Sequence, residues 1–287
     1  MKKGVKIYNL YPQLIGHISK WSDHLDRIKE MNFDWVYVNP FHLPGFSGSC
    51  YSLKSHYLYN PLFTKGTFDY DNLEAEQEKG NALISEFCSN ANAKGLKVMM
   101  DYSKWMGTAN SLAFPENHDT ERFAKEYGTK DKAIATYAIQ SYFSSSIAIT
   151  TGFEYGFTKK IDVVTTNPLD WEEATYDITD EIKRINKTKS TYKILQEDSK
   201  VYIYDFHNNK VFGFIRESND GEENILVIAN LCETEGVEFY VPNLYNLLRS
   251  ERVLDISHGH RMERVADEIN YYLQPNEVKI FYAKKGE

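Results

Sequence analysis

The sequence is poor in cysteine and has no long apolar run. Its three cysteines, Cys50, Cys88 and Cys232, are widely spaced and follow no metal-ligand pattern. A low, odd count favours a reducing compartment over a disulfide framework, and we expect no metal site. No run approaches 18 apolar residues, which argues against a membrane span, and the residues after Lys2 and Lys3 lack the apolar core of a signal peptide. We therefore predict a cytoplasmic protein.

The sequence also lacks an excess of basic residues. Lys and Arg total 33 against 41 Asp and Glu, which gives a net charge of −8. This balance argues against nucleic acid or an anionic membrane as the main partner. Because no glycine-rich phosphate loop or nucleotide fingerprint is present, we expect no cofactor. The 42% hydrophobic and 26% charged residues are typical of a soluble globular protein.

The first part of the chain alternates strand-like and helix-like segments. Short β-rich apolar runs occupy residues 5–10, 35–38, 96–100 and 147–151. Helical periodicity occupies residues 17–33, 73–94, 131–145 and 180–195. Strands that alternate with helices predict parallel pairing with right-handed crossovers.

From about residue 191 the pattern changes to short β-runs. They occupy residues 201–206, 211–215, 225–229, 237–241 and 278–282. We predict two domains, a β/α domain at residues 1–190 and an antiparallel β-sandwich at residues 191–287. His258 and His260 lie in the second domain without nearby carboxylate or cysteine partners, so a loop is a better interpretation than a metal site.

The densest polar cluster is FPENHDTER at residues 114–122. An apolar run at residues 112–114 leads into it, which predicts a position just past a buried strand. The carboxyl end of a strand is where parallel α/β folds place their chemistry. Asp119 can stabilise positive charge, and His118 and Asn117 can hydrogen-bond hydroxyl groups.

A structural interpretation of the same cluster is also open. The polar side chains could cap the next helix, with Asp119 or Thr120 as the N-cap residue. We expect Arg122 to form a salt bridge with Glu116 or Glu121 rather than to bind phosphate.

FPENHDTER resembles the fourth conserved region of the α-amylase superfamily (glycoside hydrolase family 13), where an Asn-His-Asp follows barrel strand seven. Other segments resemble the family in the same order along the chain. They are VKIYNLYPQL and FDWVYVNPF for strands one and two, SGSCYSLKSHYLYNP for the next loop, LKVMMD for strand three, and GFEYG for the turn after strand eight. The resemblance implies an α/β fold, a (β/α) TIM-type barrel followed by a C-terminal antiparallel β-sandwich.

The resemblance also implies roles for individual residues. The Asp of the family's Asn-His-Asp is the third active-site carboxylate, a transition-state stabiliser, and it corresponds to Asp119. Substrate binding is implied for His118 with the adjacent Asn117, for Tyr51 as the tyrosine that stacks on the sugar, and for Asp101 at the end of strand three. The implied ligand is an α-1,4-glucan or a maltooligosaccharide.

The chain differs from the family in the segments that carry the catalytic residues. It has no counterpart of the Gly-x-Arg-x-Asp segment after strand four, which carries the nucleophile, or of the strand-five glutamate, the general acid/base. A complete barrel takes about 250 residues, whereas the β/α part ends near residue 190. We therefore predict an incomplete barrel without strands four to six, whose remaining strands follow the spatial order seven, eight, one, two, three.

Three functions are compatible with this pattern. The chain could be an enzyme of carbohydrate metabolism that hydrolyses or transglycosylates α-1,4-glucans, such as a maltosyl transferase. It could instead be a non-catalytic α-glucan-binding or scaffold protein, or an inactive deletion product. Retaining glycosidases need two carboxyl groups about 5–5.5 Å apart, so the missing nucleophile and acid/base favour a pseudoenzyme. Exposed edges of the shortened sheet predict a homo-oligomer or a poorly soluble monomer.

Overall fold

A five-stranded parallel sheet forms the first part of the chain in the computed structural model, which describes residues 4–64, 68–100 and 112–287. Its strands are β1 (Lys6–Leu10), β2 (Trp35–Val38), β3 (Lys97–Met100), β4 (Leu112–Ala113) and β5 (Ser146–Thr150). They lie in the order β3-β2-β1-β5-β4, and all four pairings are parallel. This is the order predicted for the segments that resemble barrel strands three, two, one, eight and seven.

Helices connect and cover the strands of this sheet. The described α-helices of this part are α1 (Pro12–Ile15), α2 (Leu25–Glu30), α3 (Pro61–Thr64), α4 (Leu73–Ala93), α5 (Phe123–Tyr127), α6 (Lys130–Phe143) and α7 (Thr179–Thr191). Helix α4, predicted at residues 73–94, begins where the Asn72 side chain accepts the N–H of Ala75. It ends before Gly95, whose φ of +69° suits glycine. None of the helices in the described ranges combines the length and apolar character that crossing a membrane requires.

The helix predicted at residues 17–33 is only partly correct. Its first half is a 3-10 helix, Ile18–His24, and only α2 is α-helical. The indole N–H of the buried Trp21 donates to the carbonyl oxygen of Gly16 (2.8 Å), and the Trp21 ring packs edge-on against Phe41. The tighter 3-10 helix is consistent with the anchored position of Trp21. The spacing of apolar residues alone does not predict this helix type.

The prediction of a buried strand before the polar cluster is wrong, because strand β4 is short and partly exposed. The strand is two residues long, and Leu112 and Phe114 are 44% and 42% exposed. Among the described strands β4 pairs only with β5, so it lies at an edge of the sheet. By contrast, all five residues of the central strand β1 are buried.

The second part of the chain contains two antiparallel sheets. Five strands lie in the order β10-β12-β8-β7-β6, and β9 pairs with β11. Their bounds, with that of helix α8, are β6 (Lys200–Ile203), β7 (Val211–Glu217), β8 (Glu223–Asn230), β9 (Val237–Val241), α8 (Leu244–Leu248), β10 (Val253–Asp255), β11 (Ile269–Leu273) and β12 (Val278–Lys284). The predicted β-runs are thereby confirmed, whereas β10, β11 and α8 were not predicted.

The larger antiparallel sheet is covered on both faces. Because side chains alternate along a strand, Ile225 and Val227 of β8 join a core shared with α6, α7 and the parallel sheet. Leu226 and Ile228 face a second core, formed with β9, β11 and α8. The first core therefore crosses the predicted boundary at residues 190/191, and the division into two domains stays a prediction.

Candidate functional site

A cavity of about 590 Å³ lies against one face of the parallel sheet. Side chains alternate between the two faces of a strand, and the alternating strand residues that line the cavity are Ile7, Asn9, Tyr37, Met99, Ala148 and Thr150. Met100 and Leu112, at the ends of their strands, also line it. The alternating residues are neighbours in register, since Asn9 lies beside both Tyr37 and Thr150 and Tyr37 lies beside Met99. The other wall comes from the polar cluster and from the loop after β2.

The structure brings three of the predicted site residues together. Tyr51, Asn117 and His118 all line the cavity. The rings of Tyr51 and His118 are stacked with centroids 5.3 Å apart and an angle of 18° between their planes. The Tyr51 hydroxyl accepts a hydrogen bond from Asn39 Nδ2 (2.9 Å), which fixes the tyrosine at the end of β2. An aromatic face therefore lies beside hydrogen-bonding groups at one wall of the cavity.

Asn117 shapes the turn that presents His118. Its Oδ1 accepts the backbone N–H groups of Asp119 (3.0 Å) and Thr120 (3.1 Å), and its own N–H donates to Thr120 Oγ1 (3.1 Å). Such local bonds are the ordinary use of asparagine in turns. They hold His118 toward the cavity and leave Asp119 outside it.

Asp119 lies at the rim of the site. Its side chain is 78% exposed, and its Oδ1 lies 3.6 Å from His118 Nε2. Asp119 is not among the residues that line the cavity. The remaining predicted residue, Asp101, lies outside the described residues.

Glu116, which lines the cavity, forms a buried ion pair with Arg122. Arg122 Nη2 lies 2.9 Å from Glu116 Oε1, and both side chains are 1% exposed. The predicted Arg122–Glu116 salt bridge is thereby confirmed. Burial raises the pKa of Glu116 to about 7, although Arg122 and the N–H of Phe123 oppose this shift.

Glu116 also caps helix α5. Its Oε2 accepts the N–H of Phe123, the first residue of the helix (2.5 Å). The interpretation of Asp119 or Thr120 as N-cap is therefore wrong, because the N-cap position is occupied by Arg122 and the capping carboxylate comes from six residues earlier. A negative charge at this end is favourable, since helix N-termini carry partial positive charge.

Glu154, which follows β5, is held by three groups. Its Oε1 accepts hydrogen bonds from the Tyr8 hydroxyl (2.7 Å) and from Arg27 Nη1, and its Oε2 accepts the N–H of Gly152 (3.1 Å). Gly152 has a φ of +93°, and a Cβ there would lie 2.8 Å from Arg122 Nη2. The glycine of the GFEYG turn is therefore required by both backbone conformation and space.

The roles of Tyr8 and Arg27 in this network were missed by the sequence analysis. Arg27 is 127 residues from Glu154 in the chain, and no local pattern indicates their contact. The cavity positions Asn9 and Thr150 could have been found, since a polar residue near the end of an apolar run marks the carboxyl end of a parallel strand. Among the residues that the structure describes, no group of three or more His, Cys, Asp or Glu side chains could hold a metal ion.

Comparison with known proteins identifies the fold. Residues 2–118 match the family model of the glycogen debranching enzyme, glucanotransferase domain. The maltogenic α-amylase AmyB of Thermotoga neapolitana superposes with a TM-score of 0.73 at 12% identity, covering 98% of each chain. The resemblance to the α-amylase superfamily is confirmed.

Other solved α-amylase-family structures agree. The trehalose-6-phosphate hydrolase of Bacillus licheniformis gives a TM-score of 0.74 at 11% identity over 99% of each chain. The structure of AmyP in complex with maltose gives 0.70 at 10% identity, covering 99% of this chain and 97% of that one. None of the curated proteins matches the chain. The chain thus has an α-amylase-type fold, with a parallel sheet of the TIM-barrel type and a sheet-rich C-terminal part.

Proposed function

We propose that the chain binds a short α-1,4-glucan in the cavity beside Tyr51 and His118. The observation that supports this most strongly is the Tyr51–His118 stack at the carboxyl end of the parallel sheet. The sequence predicted both residues as sugar contacts, although 66 positions lie between them. In the α-amylase-type structure of AmyP the bound ligand is maltose.

The lining of the cavity suits a sugar that is apolar on its faces and polar at its edges. Met99, Met100 and Phe114 supply apolar surface, and Asn9 and Thr150 supply polar groups beside His118. Ligand pockets typically combine an apolar lining with a few placed polar groups. The volume of about 590 Å³ falls in the usual range for small ligands.

We propose further that the chain has negligible glycosidase or transferase activity. A retaining mechanism needs one carboxyl group to attack the anomeric carbon and another to transfer the proton. Glu116, which lines the cavity, and Glu154 are buried carboxylates that are each paired with an arginine, and Asp119 lies exposed at the rim. These placements support the absence of activity, and the strand order β3-β2-β1-β5-β4 supports an incomplete barrel, without strands four to six, that keeps half of a sugar subsite.

Calorimetric titration with maltotriose tests the binding proposal. We expect roughly millimolar affinity, about −4 kcal/mol, that is lost in the Tyr51→Ala, Asp119→Ala double variant. Tyr57→Ala is the matched control, because Tyr57 belongs to the same loop, is 73% exposed and does not line the cavity. Equal binding by the double variant would contradict the proposal.

The activity proposal is tested separately with maltoheptaose. We expect no release of reducing ends. We also expect no products that are longer than maltoheptaose. Turnover above about 1 s⁻¹, the ordinary enzyme range, would instead support an active hydrolase or maltosyl transferase. Loss of that turnover in Asp119→Ala would then assign a catalytic function to this carboxylate.

We also propose that the chain self-associates through its sheet edges. Among the described strands, β3 pairs only with β2 and β4 only with β5, so both flanks carry unpaired backbone groups. Such edges favour association with another strand. Light scattering should show a dimer or a larger species, and a monodisperse monomer with a sharp unfolding transition would argue against this proposal.

A further inference from the structure

One face of helix α7 carries a polar and basic stripe. Arg184, Lys187, Thr188 and Thr191 follow the spacing of three and four residues that places side chains on the same face of a helix. Together with residues that follow β10, they line a pocket of about 320 Å³. This pocket shares no lining residue with the cavity at Tyr51.

The pocket concentrates positive charge in a chain whose net charge is −8. Its charged lining residues are Arg184, Lys187 and Arg261, and no carboxylate lines it. Within the described part of the chain, Lys187 and Arg261 form no ion pair, and Arg184 Nη2 lies 3.7 Å from Glu181 Oε1. The Nε of Arg261 donates to the carbonyl oxygen of Ser257 (2.6 Å), which orients the guanidinium group.

His258 adds a buried ring nitrogen without a partner. Its Nδ1 has no hydrogen-bond partner among the described residues. Burial, together with the charges of Arg184, Arg261 and Lys279, lowers the pKa of His258 to about 4, so the ring is neutral at pH 7. A neutral imidazole can carry its proton on Nδ1 and donate it. Because buried polar groups are nearly always hydrogen-bonded, this atom lacks a partner that a ligand could supply.

We propose that this pocket binds the phosphate group of a small molecule. Phosphate carries nearly two negative charges at pH 7 and several acceptor oxygens, which matches three cationic side chains and one imidazole donor. Arginine groups bind phosphate in bidentate fashion and lysine as a point charge. The phosphate oxygens would accept from Arg261, Lys187 and His258 Nδ1, with Arg184 at the outer side.

The site also has a rigid base. Lys279, fully buried below the loop that carries His258 and Arg261, donates to the carbonyl oxygen of His260 (2.6 Å) and to Asp255 Oδ2 (3.0 Å). Asp255 Oδ2 in turn accepts the N–H of Met262 (2.8 Å). These bonds fix both ends of the loop, so its two pocket side chains need little ordering when a ligand binds.

Calorimetric titration of the full chain with inorganic phosphate and, separately, with glucose 6-phosphate tests the proposal at constant ionic strength. We expect saturable binding with Kd at or below about 1 mM, and about tenfold weaker binding in Lys187→Gln and in Arg261→Gln. Lys183→Gln is the matched control, because Lys183 is an exposed cation of the same helix that does not line this pocket. It should change the affinity less than about twofold.

The two ligands distinguish the source of the phosphate. Tighter binding of glucose 6-phosphate assigns a sugar phosphate, and equal binding assigns free phosphate; both results support the proposal. In His258→Phe, which keeps the ring volume and removes the donor, we expect weaker phosphate binding and an unchanged thermal unfolding midpoint. Absence of saturable binding, or equal weakening in Lys183→Gln, would overturn the proposal.

Discussion

The parallel sheet and the larger antiparallel sheet bury charged side chains in different ways. In the antiparallel sheet, Lys279 and Asp255 are fully buried and paired, and they fix a loop. In the parallel part, the Glu116–Arg122 pair lies beside a cavity that also contains Asn117 and His118. Enclosed pairs support the fold, whereas polar groups at the carboxyl end of parallel strands remain accessible to a ligand.

The largest expected loss of stability is for a substitution in the larger antiparallel sheet. Asp255→Ala leaves the ammonium group of Lys279 buried without Asp255, and should lower the free energy of unfolding by about 4 kcal/mol. Urea denaturation followed by circular dichroism measures the change. Lys284→Met is the control, since Lys284 lies exposed on the same strand β12 and should change stability by less than about 0.5 kcal/mol. Equal losses of stability in the two variants would show that the buried ion pair contributes no more than an exposed one.

A slightly smaller loss of unfolding free energy is expected for Glu154→Gln. The amide keeps the shape of the side chain but leaves Arg27 without its negative partner, so we expect a loss of about 3 kcal/mol. If the refolded variant still binds maltotriose with unchanged affinity, Glu154 is a structural residue. Loss of sugar binding at full stability would instead place Glu154 in the binding site.

The Glu116–Arg122 pair gives stability a pH dependence. Burial raises the pKa of Glu116 from 4.5 to about 7, so between these values the folded state holds a proton at this group that the unfolded state has lost. The slope of the unfolding free energy with pH is then negative, and stability is lost as pH rises through this window.

The neutral variant Glu116→Gln isolates this contribution. Because its amide does not titrate, the stability of the wild type relative to this variant should fall by about 3 kcal/mol between pH 4.5 and pH 8. Chemical denaturation of both proteins across this range measures the difference. A difference that stays constant with pH would show that Glu116 is ionised throughout.

The smallest effect is expected at the rim. Asp119→Ala removes an exposed carboxylate near His118, so the free energy of unfolding should change by less than about 0.5 kcal/mol. Thermal and urea unfolding both measure this change. A loss above about 2 kcal/mol would show that Asp119 supports the turn through its side chain.

Part of the site could be predicted from the sequence. The resemblance to barrel strands predicted the order of the parallel strands, and the position of Arg122 just past the polar cluster predicted an ion pair with Glu116 or Glu121, which the structure shows with Glu116. Tyr51 and His118 were predicted as members of one site through the family resemblance.

What the sequence did not reveal depends on distant packing. The Arg27–Glu154 contact joins residues far apart in the chain, and the 3-10 form of Ile18–His24 accompanies the anchoring of Trp21. Strand β11 was not predicted from the sequence. Its exposed residues Asn270 and Tyr272 alternate with more buried residues, and this pattern depends on the pairing of β11 with β9.

A crystal structure of the chain grown with maltotriose would show whether the cavity binds sugar. We expect a sugar ring in the cavity, in contact with the Tyr51–His118 pair and with polar groups of Asn9 or Thr150, and an intact Glu116–Arg122 ion pair at the cavity wall. A sugar bound elsewhere on the molecule, with this cavity filled only by water, would contradict this expectation.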